Sequence, residues 1–483
     1  MSAAVFLSSR GIPVTLIESH PTVGGKVHQT IINGRPIDSG PTVFTMRSVF
    51  DDLFACAGES LDDCLTLTKL TQLARHYWTD GTGLDLFSDI DQTCAAIAAF
   101  GSEKDAIQYR RFAQKSESLF NALDASFMRR QKPSTLSLGV TAGPLNLWRI
   151  VSSTPFMSLQ RSLSMSFDHP HLRQLFSRYS TYCGSSPFKA PATLMLIAHA
   201  ERAGVWVLNG GMQALAHELA RIAKKNGCTI RTNTTVKNIR CHRGVVSEIV
   251  LDDESAIATN AVVYNGDLNY LHQHLLSPEN QINRPDSGGS SLSAITLSCL
   301  ANVNGPTLSH HNVFFGNDYR DEFDALFSRQ SITAQPTIYV CAQDNNETNV
   351  QSDDTQRLFC LMNAPARPFT DAETDTETQK LMSTLALHGL HVSTLPTERV
   401  VATPNTFATR FPGSQGALYG DPTHGWASSF SRADSRTRIN GLYLAGGGVH
   451  PGAGVPMVSL SGQLAGKRLL SDFGIDTTNE YHG

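Results

Sequence analysis

Apolar side chains in the first eighteen residues follow a helical pattern and then a strand pattern. One stripe of a predicted helix is formed by Ala3, Ala4, Val5 and Leu7. Gly11 is a typical residue after a helix end, and the apolar run over residues 14–17 predicts a buried strand that ends at Glu18. The chain therefore opens with a predicted helix, turn and strand.

A second stretch with the same alternation spans residues 205–239. It predicts a short strand, a Gly210-Gly211 turn, an amphipathic helix, a helix end at Gly227 and an alternating strand through Val236. The apolar stripe of this helix is Ala214, Leu215, Leu219 and Ile222.

A third stretch spans residues 441–466. A buried strand over residues 442–445 runs into a glycine-rich segment and then into a helix with Pro456 in its first turn. Short strand, glycine turn and amphipathic helix are typical of a doubly wound α/β sheet.

The three stretches lie far apart, so we predict one discontinuous, Rossmann-like cofactor domain from residues 1–75, 205–268 and 400–483. The insertions 76–204 and 269–399 mix helical and strand patterns. They predict a second, interleaved α+β domain. A length of 483 residues is consistent with more than one structural domain.

Composition narrows the function classes. Hydrophobic residues make up 41% and charged residues 17% of the chain, which is typical of a globular protein. A net charge of -4 gives no basic surface for nucleic acid. The nine cysteines form no C-x-x-C pair and no sequence cluster with histidine, which predicts a reducing compartment and no metal site. No apolar run approaches the ~18 residues that would span a bilayer.

Glu18 and the following glycines suggest nucleotide chemistry. A carboxylate at the end of such a strand accepts hydrogen bonds from a ribose diol in adenine dinucleotide folds. Gly24 and Gly25 allow backbone N–H groups to approach a phosphate, and Lys26 adds positive charge. The alternatives are a solvated strand end and a plain turn. In the following segment, we interpret Asp38 as a residue that orders a turn.

The segment from Gly446 to Gly454 carries the strongest local signal. Glycines between a strand and a helix expose N–H groups at the positive end of the helix, which suits a phosphate or an electron-rich ring edge. A crowded strand-to-helix crossover is the alternative. His450 in this segment fixes a turn, contacts the cofactor or acts as a general base, and we favour the first two roles.

A second histidine motif, His310-His311, suggests metal ligands. Adjacent side chains on a regular strand point to opposite faces, so the pattern argues against binding of one ion by both residues. We therefore expect a structural role for this pair.

The chain resembles the bacterial carotenoid desaturase family of flavin amine-oxidase-like enzymes over nearly its whole length. The matching segments include "GIPVTLIESHPTVGGK", "DSGPTVFTMRSVFDDLF", "GVWVLNGGMQALAHELA", "HHNVFFGNDYRDEF" and "LYLAGGGVHPGAGVPM", in family order. "GPTVFTM", "PTIYVCAQD" and Met457 are closest to the 1-hydroxycarotenoid 3,4-desaturases, the hydroxyneurosporene and methoxyneurosporene type.

The resemblance implies FAD as the electron sink for an apolar carotenoid that gains a C-3,4 double bond. It implies that the discontinuous Rossmann-like domain is the FAD-binding domain and that the interleaved α+β domain faces the substrate and the membrane. It implies cofactor contacts at Glu18, Gly24, Gly25, Lys26, Val236, Gly446, Gly447, Gly448, His450, Gly454, Val455 and Met457. The catalytic base and the electron acceptor, oxygen or a quinone, stay open.

One departure from the family affects cofactor binding. The family places a strand and a G-x-G-x-x-G loop before the first helix, and counting back from Glu18 puts the third glycine immediately before Met1. We expect a sheet without its central strand, so that either the start is assigned too late or flavin binds poorly.

The resemblance also implies a bacterial cytoplasmic protein attached to the surface of the inner or photosynthetic membrane. The stretch 136–157 is apolar with few charges, and we expect it to dock on the bilayer and to admit the substrate. Alternative functions are a phytoene desaturase, a carotenoid isomerase of the same fold, and a carotenoid-binding protein without catalytic activity.

Overall fold

The computed structural model describes residues 1–132, 143–150, 156–281, 289–345, 355–425 and 427–475. In these residues the helices are α1 (Ser2–Ser8), α2 (Ser48–Ala55), α3 (Leu61–Cys64), α4 (Ile90–Phe100), α5 (Glu103–Leu123), α6 (143–150), α7 (Leu159–Ser166), α8 (Pro170–Ser177), α9 (Leu196–Ala203), α10 (Met212–Lys225), α11 (Leu268–Tyr270), α12 (Tyr319–Asp324), α13 (Asp371–Leu387), α14 (Pro404–Arg410), α15 (Ser428–Ser431) and α16 (Val455–Asp472).

The strands in the same residues are β1 (Thr15–Ile17), β2 (Gln29–Ile32), β3 (Arg35–Asp38), β4 (Leu67–Lys69), β5 (Gln72–Tyr77), β6 (Gly83–Phe87), β7 (Trp206–Leu208), β8 (Thr229–Arg231), β9 (Val236–His242), β10 (Val245–Leu251), β11 (Ala256–Ala258), β12 (Val262–Tyr264), β13 (Ser293–Asn304), β14 (His311–Phe314), β15 (Ile338–Ala342), β16 (Gln356–Ala364), β17 (His391–Ser393), β18 (Arg399–Ala402) and β19 (Leu442–Leu444).

Two short parallel ladders form the sheet elements of the predicted cofactor side. β1 pairs with β8, and β12 pairs with β19. Both pairings join segments that are distant in sequence, as a discontinuous domain requires. In the described part of the chain no strand connects the two ladders, which are separate sheets.

The strand predicted to run through Val236 is broken in the structure. β8 ends at Arg231, and β9 begins at Val236 in a different, antiparallel sheet with β10 and β11. Asn233 between them has a φ of +51°, and its N–H donates to the His20 carbonyl oxygen. A left-handed residue reverses the chain direction, which an alternating apolar pattern does not reveal.

A large mixed sheet forms the other side of the molecule, in the order β17-β13-β16-β15-β14-β5-β6 with β18 also on β13. The pairing of β14 with β5 is parallel and the other pairings are antiparallel. α13 covers one face through Leu381 and Leu385, which are fully buried. β5 crosses the predicted domain boundary at residue 75, and the domain division stays a prediction.

The N-terminal and C-terminal helices pack against each other through small residues. A β-carbon on Gly462 would lie 3.0 Å from the Ala3 nitrogen, and one on Gly466 would lie 2.7 Å from the Phe6 ring. Ser2 and Ser459 are joined by a side-chain hydrogen bond of 3.0 Å. α16 thus holds α1 beside the end of β19.

Asp38 has the ordering role that its sequence context indicates. Its carboxylate accepts a hydrogen bond of 2.8 Å from the Met212 N–H at the start of α10, and another of 3.0 Å from Gln29. Gly211 is required beside it, because its φ is +76° and a β-carbon would lie 2.5 Å from the carboxylate. Asp38 therefore joins the β2–β3 hairpin to α10.

Candidate active site

A continuous cavity of about 2030 Å³ lies between the two parallel ladders and the large sheet. Typical small-molecule sites have volumes of roughly 300–1,000 Å³, so this cavity has room for more than one such ligand. All the predicted cofactor residues except His450 line it: Glu18, Gly24, Gly25, Lys26, Val236, Gly446, Gly447, Gly448, Gly454, Val455 and Met457.

Glu18 stands where β1 ends, at one wall of the cavity. Its carboxylate accepts a hydrogen bond of 2.9 Å from the His20 N–H, and its carbonyl oxygen accepts one of 3.0 Å from Thr234. These bonds fix the residue beside the start of β9. The carboxylate has acceptor positions left for a second ligand, such as a diol.

The segment from Gly24 to Lys26 forms the adjacent wall. Gly24 and Gly25 have φ values of +123° and +61°, and a β-carbon on Gly24 would lie 2.4 Å from the Val27 carbonyl oxygen. The Lys26 ammonium donates to the Leu418 carbonyl oxygen. Lys26 lines the cavity, and loss of hydration at its ammonium lowers the pKa of Lys26 to about 8.

The glycine-rich crossover follows β19 as predicted. Gly446 and Gly454 have φ values of +113° and +112°, and the Gly446 N–H donates to Ser461 Oγ over 3.1 Å. α16 begins at Val455 with Pro456 in its first turn. The start of this eighteen-residue helix therefore borders the cavity, and its N–H groups favour electron-rich ligands there.

His450 is buried and does not line the cavity. Its Nε2 lies 3.0 Å from both the Phe127 and Arg130 carbonyl oxygens, and its ring makes an edge contact with Phe127. Burial lowers the pKa of His450, so the ring is a neutral donor to this turn. The geometry favours the turn-fixing role over the cofactor contact and the general base.

The expectation that His310 and His311 point to opposite faces is wrong. His310 precedes β14 instead of lying within it, and the two rings are 4.6 Å apart at their centroids. Cys341 Sγ lies 3.6 Å from His310 Nε2, and the three ligand atoms lie within 4.8 Å of one another. The spacing of residues in the sequence did not reveal this cluster, because Cys341 lies on a different strand, β15.

Several cavity residues were not predicted from the sequence. Arg178 Nη1 donates to Tyr182 over 3.1 Å, and Tyr182 donates to Glu201 over 2.6 Å, so these three form an internally paired network. Thr42 Oγ1 lies 2.7 Å from Tyr339 Oη, and the Arg178 guanidinium lies over the ring of this tyrosine, 5.4 Å from its centroid. The residues come from loops, helices and strands that only the tertiary fold brings together.

A family model described as flavin containing amine oxidoreductase matches residues 1–470. The chain belongs to this family. It is 42% identical over 486 residues to hydroxyneurosporene desaturase of Rubrivivax gelatinosus, covering 99% of this chain and 92% of that protein. It is 38% identical over 477 residues to hydroxyneurosporene desaturase of Cereibacter sphaeroides, covering 98% and 95%. A solved putrescine oxidase shares the fold at a TM-score of 0.61 and 13% identity, covering 98% and 96%.

The family's cofactor is FAD, and the cavity residues fit it. Glu18 offers the acceptor that a ribose diol needs, while the α16 start and Lys26 offer donors for electron-rich groups. Gly25 leaves open space where a β-carbon would be, and one on Gly447 would have no neighbour closer than 3.7 Å. Both glycines can therefore be approached closely by a flat or phosphorylated ligand.

Proposed function

We propose that this chain is an FAD-dependent carotenoid desaturase that introduces a C-3,4 double bond into 1-hydroxy or 1-methoxy carotenoids. The observation that carries the proposal is identity of 37–42% along almost the whole chain to three hydroxyneurosporene desaturases. The large cavity, which is bordered by the cofactor residues on one side and by the large sheet on the other, supports it.

The chemistry divides between cofactor and protein. Bound FAD supplies the acceptor for the two electrons that leave the carbon pair. The protein aligns an apolar chain, and it excludes water with apolar side chains such as Val43, Phe359 and Leu361, which line the cavity. The final electron acceptor is oxygen or a membrane quinone.

The test uses the purified, FAD-loaded protein in aerated liposomes that contain 1-hydroxyneurosporene and a quinone, so that both candidate electron acceptors are present. The expected product has lost two hydrogens and absorbs at longer wavelength because its conjugated chain is longer, as chromatography and mass spectrometry would reveal. A Gly447→Leu variant is the control, because its β-carbon meets no close neighbour but its side chain competes for the cavity.

Other outcomes identify the alternatives. A product of unchanged mass and altered geometry, formed anaerobically without an acceptor, indicates an isomerase. Conversion of phytoene in preference to the hydroxylated polyene indicates a phytoene desaturase. Tight polyene binding with no flavin absorbance and no product indicates a carotenoid-binding protein.

We further propose that the chain docks on the bilayer beside the cavity. Of the stretch 136–157, residues 136–142 and 151–155 lie outside the described residues, so the proposal rests on α6 and the chain after it. Leu145, Trp148, Phe156 and Met165 are 62–71% exposed, which is unusual for large apolar side chains in water. Leu147 and Phe156 also line the cavity, which provides a path for an apolar substrate.

No described helix combines the length and the hydropathy needed to cross a bilayer. The proposed attachment is therefore peripheral for this part of the chain, with apolar side chains inserted at the lipid surface. The proposed location is the cytoplasmic face of the inner or photosynthetic membrane.

A further inference from the structure

The proposed substrate carries one oxygen, and its position is informative. The oxygen is bonded to C-1, and two C–C bonds of about 1.5 Å each separate C-1 from C-3. It therefore lies within roughly 4 Å of the carbon pair that is oxidised. A group that recognises this oxygen has to lie beside the reacting end of the cavity, between the cofactor residues and the large sheet.

Thr42 and Tyr339 occupy this junction. Thr42 lies two residues after Gly40 in the same loop. A β-carbon on Gly40 would lie 1.9 Å from the Lys26 carbonyl oxygen. This loop therefore packs directly on the predicted cofactor segment. Tyr339 lies on β15 of the large sheet. Both residues line the cavity, and their hydroxyl oxygens are 2.7 Å apart.

His311 holds the tyrosine in place from behind. Its Nδ1 lies 2.7 Å from Tyr339 Oη, and its side chain is buried with 3% exposure. The tyrosine proton is donated either to His311 or to Thr42. In the first arrangement Thr42 donates to the tyrosine and keeps free acceptor positions; in the second it keeps its own O–H as a free donor. Thr42 can thus bind an alcohol in either arrangement.

The chain of three side chains is electrically neutral. Burial lowers the pKa of His311 well below its ordinary value and raises that of Tyr339 well above its ordinary value. A neutral polar pair suits a neutral alcohol or ether. An ammonium group is disfavoured there, because the Arg178 guanidinium lies 5.4 Å from the centre of the Tyr339 ring.

Several other polar side chains at the cavity are already paired. Arg178, Tyr182 and Glu201 satisfy one another, as described above. Thr337 donates to the buried Glu322 over 2.7 Å. These groups lose existing hydrogen bonds if they bind a substrate instead. The Thr42 hydroxyl uses one of its three hydrogen-bonding positions on Tyr339 and keeps the other two for a substrate.

We propose that Thr42 and Tyr339, anchored by His311, form the binding site for the C-1 oxygen of a hydroxylated acyclic polyene. The site fixes which carbon pair lies at the reacting position. This assignment rests on the proposed function and adds the residues that select its substrate. Selection follows because a site built to pair a hydroxyl is left with an unpaired polar group when the hydroxyl is absent.

The test compares 1-hydroxyneurosporene with 1,2-dihydroneurosporene, which has hydrogen in place of the hydroxyl. Both polyenes are offered together in liposomes to the wild type and to Thr42→Val and Tyr339→Phe. We expect the wild type to prefer the hydroxylated polyene in kcat/KM by about tenfold or more. We expect each variant to lose about tenfold of this preference, with the rate on the other polyene within about twofold of the wild type.

Thr45→Val is the matched control, because Thr45 also lines the cavity but lies outside the three-residue chain. Equilibrium binding of each polyene, followed by tryptophan fluorescence, provides a readout that does not depend on turnover. A wild type that binds both polyenes equally, or a preference that both variants retain, overturns the assignment. If the wild type binds the hydroxylated polyene selectively but produces no double bond, the proposed function fails while the binding site stands.

Discussion

The carbonyl oxygen of Lys26 lies 1.9 Å from the position that a β-carbon on Gly40 would occupy. The loop before Thr42 and the segment that carries Gly24, Gly25 and Lys26 are therefore in direct backbone contact. The distance leaves no room for any side chain at residue 40, because the obstacle is backbone and not the end of a flexible group.

We expect Gly40→Ala to separate these two segments and to cost about 2 kcal/mol of unfolding free energy. The purified variant should carry less flavin per chain than the wild type, as measured by absorbance after release of the cofactor. Gly83→Ala is the control, because its β-carbon would meet no neighbour closer than 3.4 Å. Equal flavin content in Gly40→Ala and the wild type would contradict the close contact.

Lys26 predicts a pH dependence of FAD affinity. Its pKa of about 8 means that the ammonium is mostly charged below pH 8 and mostly neutral above it. We expect affinity for the anionic cofactor to fall as pH rises through about 8, by up to about tenfold. Fluorescence titrations of the apoprotein with FAD between pH 6.5 and 9.5 would measure this. The Lys26→Arg variant should keep its affinity for FAD over that pH range. The Lys26→Met variant should bind FAD more weakly, with an affinity that does not change with pH.

Glu322 predicts a pH dependence of stability. Burial raises the pKa of this carboxyl from 4.5 to about 7, so the folded state binds a proton that the unfolded state releases. Its contribution to stability is present below about pH 4.5 and is lost as pH rises to about 7, amounting to roughly 3 kcal/mol.

Glu322→Gln should remove this contribution, which denaturant unfolding of the wild type and the variant at pH 5 and pH 7.5 would reveal. Glu254→Gln, at an exposed ion pair with Lys237, should leave the difference between the two pH values unchanged. A wild type and Glu322→Gln with the same pH dependence would argue that Glu322 is ionised in the folded protein.

The proposed docking surface on α6 predicts that an added negative charge there weakens membrane binding. Leu145→Glu places a carboxylate on the exposed face of α6 and should weaken binding to liposomes by tenfold or more, without a change in unfolding free energy. Leu395→Glu is the matched control, because Leu395 is 59% exposed and Leu145 is 62% exposed. Flotation of the two variants with liposomes checks the prediction, and equal flotation would place the docking surface elsewhere.

The sequence was sufficient where local patterns determine structure. The strand before Glu18, the glycine crossover and Pro456 at the start of α16 lie where the periodicity and the turn residues placed them. The prediction that the strand before Glu18 is buried is wrong, because Thr15 is exposed and Leu16 and Ile17 are half-buried. These features are local because glycine, proline and apolar spacing act over one or two turns of chain. The positions of the cofactor residues could be predicted for the same reason, since these residues follow strands or begin helices.

The remaining site residues depend on contacts between distant parts of the chain. Tyr339 meets Thr42 because β15 is placed in the large sheet beside the loop after β3, and neither segment encodes that register locally. The strand predictions around Asn233 and His310 were wrong for a local reason. A single residue outside regular geometry was hidden inside a convincing strand pattern.

Contact between α1 and α16 constrains the order of biosynthesis. Ser2 and Ser459 are 457 positions apart, so the apolar face of α1 leaves the ribosome long before the helix that covers it exists. Through most of translation that face needs a temporary cover, such as a chaperone. Cofactor capture should therefore follow release of the chain, and pulse labelling should find no flavin on nascent chains that lack α16.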